Sequence, residues 1–356
     1  MPDFHTIALD AMGGDYGPSV IVPAAALALR QSATLRFIFC GDEAKIKPLL
    51  AKEPGLQAVS EIIHTDKVVS SDEKPSAALR NGKNSSMRLA IEAVRDGRAE
   101  GIVSAGNTGA LMATAKLLLR CLPGIDRPAI ASVMPTMKGE TVMLDLGANI
   151  DCDASMLVQF AVLGAVYART VKGIENPSVS LLNVGTEDMK GNDRVREAAA
   201  ILSKVDFPGT FAGFVEGNDI PEGTVDVVVT DGFTGNVALK VMEGVGKLTS
   251  KFLKDSLKST YFAMLGALLA GWALKQLKAR VDARTYNGGM FLGLNGICVK
   301  SHGSMDAYGF SRAILVAANL VRNGYNDRVA AEIRQIMDHD PSLHGANADQ
   351  PAAGGA

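Results

Sequence analysis

Short apolar runs recur along the chain, and each gives way to a turn of small or polar residues before a helical pattern begins. Thr6 to Asp10 leads into Ala11-Met12-Gly13-Gly14-Asp15, and Leu35 to Cys40 into Gly41-Asp42. Gly101 to Ser104 leads into Ala105-Gly106-Asn107-Thr108-Gly109, and Thr141 to Asp145 into Leu146-Gly147-Ala148-Asn149. Val179 to Asn183 leads into Val184-Gly185-Thr186-Glu187, and Val225 to Thr230 into Asp231-Gly232-Phe233-Thr234-Gly235-Asn236. The runs are continuously apolar rather than alternating, which predicts strands buried on both faces. The fold class is therefore α/β: a three-layer, mostly parallel sheet covered by helices. Ligands of such sheets bind beyond the carboxyl ends of strands, so the glycine turns mark where a site is expected.

One segment breaks this pattern. Tyr261 to Leu274 holds only Gly, Ala and large apolar residues, with Lys254 and Lys258 before it and Lys275, Lys278, Arg280 and Arg284 after it. At 14 residues it falls short of the ~20 a spanning helix needs, but it is long enough to lie in a membrane interface. The chain's one tryptophan, Trp272, sits near its end, where an amphipathic ring suits the headgroup layer. Leu265, Leu268, Leu269 and Trp272 are the candidate membrane contacts within a helical hairpin over 250–285. A buried dimer helix explains the apolar run equally well and the basic flanks less well. The expected organisation is one catalytic domain over 1–337, hairpin included, followed by a disordered tail over 338–356, where the residues turn small and polar.

Composition adds little beyond exclusions. Of 356 residues, 47% are hydrophobic and 21% charged, and the formal net charge is -2. No global field points to nucleic acid. Cys40, Cys121, Cys152 and Cys298 are far apart, without metal-ligand spacing, and read as reduced thiols of a cytoplasmic protein. Met1-Pro2-Asp3-Phe4 lacks the basic start of a secretory signal, so none is expected.

Three turns combine a strand end, small residues and a helix start, where free backbone N–H groups and the helix dipole favour an anion. They are Gly13-Gly14-Asp15, Gly106-Asn107-Thr108-Gly109 and Gly232-Phe233-Thr234-Gly235-Asn236. Each alone is equally consistent with a glycine turn that merely reverses the chain. Lys190 lies in a glycine-bounded loop beyond a strand and could meet an anion, or be a solvated lysine. Asn236 reads as opening a helix at Val237, as a cap or a site residue. No G-x-G-x-x-G follows the first strand, and Gly246-Lys247-Leu248 lacks the hydroxyl residue of a P-loop. Asp10, Asp15, Asp145 and Asp231 could hold Mg²⁺, but such acids more often cap helices or brace loops. No metal and no cofactor are expected.

Taken together and in order, these blocks resemble the bacterial acyl-ACP:phosphate acyltransferases, the PlsX family. The resemblance rests on Asp10-Ala11-Met12-Gly13-Gly14-Asp15, Ser104 to Ala110, Asp145 to Asn149, Gly185-Thr186-Glu187 with Lys190-Gly191-Asn192, Glu216 to Ile220, Asp231 to Val237, and Ser301-His302-Gly303-Ser304. It covers about residues 6 to 335, with Met305 a small departure where another small residue is expected. It implies a fold like that of isopropylmalate dehydrogenase and phosphotransacetylase, and a homodimer attached peripherally to the inner face of the cell membrane. It also implies the reaction: a long-chain acyl group moves from acyl carrier protein to inorganic phosphate, and a glycerol-3-phosphate acyltransferase uses the product. The family's catalytic lysine and asparagine fall on Lys190 and Asn236. Asp10, Gly13, Gly14, Asp15, Gly106, Asn107, Thr108, Gly109, Gly232, Thr234, Gly235 and His302 are the candidate substrate and phosphate contacts.

Phosphate is itself a nucleophile near neutral pH, so direct attack on the thioester needs positioning and oxyanion stabilisation rather than a triad. The rival mechanism is an acyl-enzyme on Cys152 with His302 as base. The rival functions are an NAD-dependent dehydrogenase, suggested by fold analogy, and a non-catalytic membrane scaffold built on 261–274.

Overall fold

The structure, a computed structural model, describes residues 4–282 and 284–339. In chain order the elements are β1 (His5–Asp10), α1 (Pro18–Gln31), β2 (Leu35–Gly41), α2 (Glu43–Leu50), α3 (Pro54–Gln57), β3 (Ser60–His64), α4 (Pro75–Asn81), α5 (Ser86–Arg95), β4 (Gly101–Ser104) and α6 (Thr108–Leu119). There follow β5 (Ala129–Thr136), β6 (Gly139–Leu144), α7 (Ala154–Lys172), β7 (Ser178–Leu182), α8 (Asp193–Leu202), β8 (Thr210–Val215), α9 (Asp219–Glu222) and β9 (Val227–Val229). The chain closes with α10 (Gly232–Leu257), α11 (Tyr261–Leu269), α12 (Gly271–Val281), β10 (Gly289–Leu292), β11 (Ile297–Lys300), α13 (Ala307–Arg322) and α14 (Tyr325–His339). The rest of the tail expected from 338 lies outside the described residues.

All the described strands join one sheet in the order β3-β2-β1-β4-β11-β10-β5-β6-β9-β7-β8. The expected parallel pairing holds in two blocks. β3, β2, β1, β4 and β11 are parallel to one another, as are β6, β9, β7 and β8. Between the blocks, β10 pairs antiparallel with both β11 and β5, and β5 pairs antiparallel with β6. Three antiparallel contacts in succession reverse direction an odd number of times, so the two blocks run in opposite senses.

The continuous apolar strands are explained by two cores. In β1, Ile7 and Leu9 enter one cluster with α1 and α13, while Ala8 between them enters another with α5 and α6. β2 divides likewise, Phe37 and Phe39 against Ile38 and Cys40. Side chains of a strand alternate between faces, so a strand covered on both sides must be apolar at every position. α7 is the one helix among the described residues long and apolar enough to cross a membrane, yet most of it is buried. It packs on β6, β7, β9, α8 and α14 as a central core helix, each fully buried large side chain contributing ~1.5–3 kcal/mol.

α10 is the long element of the second block. Asp231 caps it, accepting from Thr234 N at 2.8 Å. Its first turn lies directly on the turn after β6: Gly232 N donates to Asn149 O at 2.7 Å. A Cβ on Gly235 would sit 1.9 Å from Asp145 O, so only glycine permits this approach. Ala238, Leu239 and Met242 then pack on the cluster of Met134, Met143 and Val228. Helix propensity favours alanine over glycine, so Gly235→Ala would stabilise an unhindered helix. Here it is expected to destabilise by about 1–3 kcal/mol or more through overpacking, read as a lowered melting temperature.

Candidate active site

The first group of candidate residues gathers where β1, β4 and β11 end side by side. Leu9 pairs with Val103, and Ser104 with Lys300. Asp10 is buried there, accepting hydrogen bonds from Ser86 Oγ and Ser104 Oγ, each at 2.6 Å. Burial pushes its carboxyl upward, opposed by those hydroxyls, by the Met12 backbone and by the charge of Lys300. Gly106 N donates to Ser104 Oγ at 3.0 Å, which ties the β4 turn to the same carboxylate. A Cβ on Gly13 would lie 2.6 Å from Asp10 Oδ2 and 2.8 Å from Gly106 N. Gly14, with φ +79°, leaves no room either: its Cβ would meet Gly303 O at 2.9 Å. Asp15 N donates to Gly303 O at 3.0 Å. The structure thus brings Asp10, Gly13, Gly14, Asp15, Gly106 and the loop of His302 into one interlocked set of turns.

Asn107, Thr108 and Gly109 open α6 beside this set. Asn107 caps the helix through Ala110 N and donates its amide to Ser71 O and Glu73 O, both at 2.9 Å. Its side chain braces the 70–74 segment. A Cβ on Gly109 would lie 2.8 Å from Pro75 Cγ, so this glycine admits α4. Thr108 is exposed at the helix start. His302 Nδ1 pairs with Ser304 Oγ at 3.0 Å, and His302 N donates to the buried Asn287 at 3.1 Å. His302 is exposed to solvent, and partial desolvation lowers its affinity for a proton, as do the positive charges of Lys300, Lys240 and Lys247, against Glu243.

The second group surrounds the end of β6. Asp145 is buried and accepts from Ile130 N, Gly147 N and Ala148 N through Oδ1, and from Asn149 N and Nδ2 through Oδ2, at 2.7 to 3.2 Å. It braces the turn on which α10 starts. Asp231 caps α10 and also holds the Thr234 hydroxyl at 2.8 Å. Among the described residues no group of three or more His, Cys, Asp and Glu is placed to hold a metal. Asn236 is not a helix opener, as its sequence position suggested. The helix begins at Gly232, because the glycines that read as a turn are its first turn pressed against the Asp145 backbone. Asn236 Nδ2 donates to Leu146 O at 3.2 Å and keeps a second amide hydrogen.

Lys190 is exposed in the loop after β7, with its aliphatic chain over Gly185 and its carbonyl accepting from Asn183 Nδ2 at 3.1 Å. No hydrogen bond joins it to Asn236 among the described residues. A cavity of about 320 Å³ lies between the segments that carry the two, walled by Asn192 and Arg194 on one side, Phe233 and Thr234 on the other, and Cys152.

α10 belongs to the second group and packs over β5, β6 and β9. The β6–β9 block runs against the β1–β4 block, so their turns face opposite edges. α10 turns back along the sheet, and Asn236, Lys240, Glu243 and Lys247 fall on one face of it, at i, i+4, i+7 and i+11. The last three of these act electrostatically on His302. Sequence reading missed Lys300, whose ammonium group sits on the Ala105 and Ser301 carbonyls beside the Asp10 group. The signal for Lys300 was present: a lysine closing the apolar strand Ile297-Cys298-Val299 directly before Ser301-His302.

A model of the fatty acid synthesis protein family matches residues 5–328. The chain belongs to that family. Two curated relatives, both phosphate acyltransferases, come from Paramagnetospirillum magneticum and Rhodospirillum centenum. They are 58% and 56% identical over 337 residues, 95% of this chain and 96% and 95% of theirs. The protein is thus an acyltransferase of fatty acid synthesis, and the dehydrogenase and scaffold readings fall. In fold it is similar to a phosphotransacetylase from Streptococcus pyogenes (TM-score 0.62, 18% identity, 90% of this chain and 95% of that one). It is also similar to the EutD phosphotransacetylase from Staphylococcus aureus (TM-score 0.59, 17% identity, 89% and 94%).

Within this acyltransferase the acyl-cysteine alternative is poorly supplied. Cys152 is buried, and burial, then the charge of Asp145, pushes its thiol up to about 12. His302 belongs to the other group, and no hydrogen bond joins it to Cys152 among the described residues. A thiolate nucleophile needs the opposite environment. Cys152→Ala is expected to keep turnover within about twofold of the parent protein, measured as thiol release from an acyl thioester; trapping an acyl-Cys152 thioester would overturn this.

Proposed function

We propose that this protein transfers a long-chain fatty acyl group from acyl carrier protein to inorganic phosphate. Its relationship to phosphate acyltransferases carries the reading, and the donor-rich turns at the strand ends, with the lysines that follow β7 and end β11, support it. An oxygen of hydrogen phosphate attacks the thioester carbonyl carbon, and a tetrahedral oxyanion forms. Collapse breaks the carbon–sulfur bond, giving acyl phosphate, and the proton carried in by hydrogen phosphate ends on the carrier thiol. No covalent intermediate on the protein is needed. Lys190 supplies positive charge to the anionic centre, and the second amide hydrogen of Asn236 is available to an oxyanion. The helix-start amides of the Gly106 and Gly232 turns contribute further donors.

The remaining partners follow from the same reading. α10 carries an exposed apolar stripe of Phe233, Val237, Val241, Val245, Leu248 and Phe252, suited to a second copy of the chain in a homodimer. Beyond it, α11 and α12 form the apolar hairpin, where Leu268, Leu269 and Trp272 are 77%, 81% and 74% exposed. We assign Leu265, Leu268, Leu269 and Trp272 to the inner membrane surface of a cytoplasmic, peripherally bound enzyme. There its product passes to a glycerol-3-phosphate acyltransferase.

Incubating acyl carrier thioester with and without phosphate tests the reaction. Thiol release is expected only with phosphate, together with an acyl hydroxamate trapped by hydroxylamine; phosphate-independent release would refute it. For the membrane contact, the double change Leu268→Glu and Leu269→Glu is expected to weaken flotation with anionic vesicles while activity in solution persists. Unchanged vesicle binding would defeat that assignment.

A further inference from the structure

The three segments that carry the second group of candidate residues stand side by side. β9 lies between β6 and β7, parallel to both, and Val229 pairs with Leu144 on one side and with Leu181 on the other. The turn after β6, the loop after β7 and the start of α10 therefore leave the sheet at one level. The cavity of about 320 Å³ opens among them, walled by Ile150 and Cys152 of the turn, Leu157 of α7, Val195 of α8 and Phe233 of α10. Its size is within the range of small-molecule sites, about 300–1,000 Å³. Lys190 and Asn236 belong to its opposite sides: Asn192 and Thr234 line it, two residues after the one and two before the other.

The polar side chains that line the cavity are already engaged within the protein. Asp231 accepts from the backbone N and the hydroxyl of Thr234, both at 2.8 Å. Asn192 caps α8 through Val195 N at 3.0 Å. Arg194 pairs with Asp151 and reaches Cys152 O at 3.4 Å. One guanidinium against two carboxylates leaves no excess of positive charge, so the cavity does not attract a dianion. What its walls leave free is apolar surface: Ile150, Leu157, Val195 and Phe233. The rim repeats this character. Ile150 and Phe233 are exposed, and in the loop that carries Lys190, Val184 and Met189 are 77% and 78% exposed. Large apolar side chains left in water on three adjoining segments mark a surface that is covered in use. Of the two substrates, only the acyl thioester has an apolar part to cover it.

We propose that this cavity binds the acyl chain of the donor, and that Ile150, Val195 and Phe233 set the preference for chain length. The assignment rests on the proposed acyl transfer and names where its apolar substrate lies. The thioester carbonyl is then held at the mouth, between the segments of Lys190 and Asn236. A short chain reaches no further than the mouth, whereas a long chain fills the cavity and runs out over the exposed rim. Each methylene taken out of water favours binding by roughly fourfold, so donors of different length report on the cavity directly.

The experiment measures phosphate-dependent thiol release from hexadecanoyl and butanoyl carrier thioesters, in the parent protein and in Ile150→Asn and Val195→Phe. The parent protein is expected to prefer the hexadecanoyl donor, in kcat/KM, by at least about tenfold. Ile150→Asn puts an amide on an apolar wall, and Val195→Phe fills the space between the walls. Each is expected to cut the preference roughly tenfold, with the KM for phosphate within about twofold of the parent value. Ile150 is exposed on a turn, so its variant remains informative should Val195→Phe fold poorly. A loss of kcat/KM by the same factor for both donors would assign the cavity to the thiol-bearing arm of the carrier or to a structural role, and overturns the proposal. A parent protein indifferent to chain length overturns it as well. Absence of phosphate-dependent release from either donor would instead overturn the reaction on which it rests.

Discussion

The reversal of strand direction across β10 and β5 is the constraint on which the rest of the molecule depends. It sends the turns of the two parallel blocks to opposite edges of the sheet, so neither block alone assembles the candidate residues. α10 runs over the second block from a start fixed by Asp145. That carboxylate collects backbone donors from the β5 start and from its own turn, and the turn in turn receives Gly232. Burial of an ionisable group is tolerable only when it is so fully hydrogen-bonded. Asp10 plays the corresponding part in the other block, holding the β1 and β4 turns through two serine hydroxyls.

Much of this was legible in the chain. The continuous apolar runs gave the doubly covered strands, because a strand between two cores has no polar face to show. The glycine segments after them were correctly located at strand ends, and several of the glycines admit a close approach of neighbouring backbone or side chains. The antiparallel centre was not legible. β10 is four residues long, and its partners lie far away in sequence, so no local pattern declares its direction. Asn236 was misread as a helix opener because Gly232 and Gly235 have the composition of a turn. Their reason for being glycine is the backbone of Asp145, which no local sequence contains. Lys190 and Asn236 stood out by their places in the turns, and their catalytic roles came from the family resemblance. Lys300 came from neither, since it looked like an ordinary strand-end lysine until the fold placed its ammonium group on the Ala105 and Ser301 carbonyls.

The chemistry that emerges relies on fixed charge rather than on an activated side chain. The buried thiol of Cys152 is held in its neutral form, and His302 is discouraged from protonation. The available groups are amides and ammonium ions, which lower the energy of an incoming dianion and of a developing oxyanion alike. Such a site works by preorganisation, and the interlocked turns supply it: Gly13 and Gly14 leave little room for the loops to shift.

α10 is a continuous helix of 26 residues, about 39 Å long at 1.5 Å per residue, and it carries Asn236 near one end and the apolar hairpin at the other. A rigid rod of this kind fixes angular phase as well as distance. Inserting or deleting one residue after Asn236 would rotate everything downstream by about 100°, turning the apolar stripe and the hairpin relative to Asn236. Only a change of length near a whole number of helical turns would preserve this phase. The orientation of the hairpin relative to the site is thus written in a residue count.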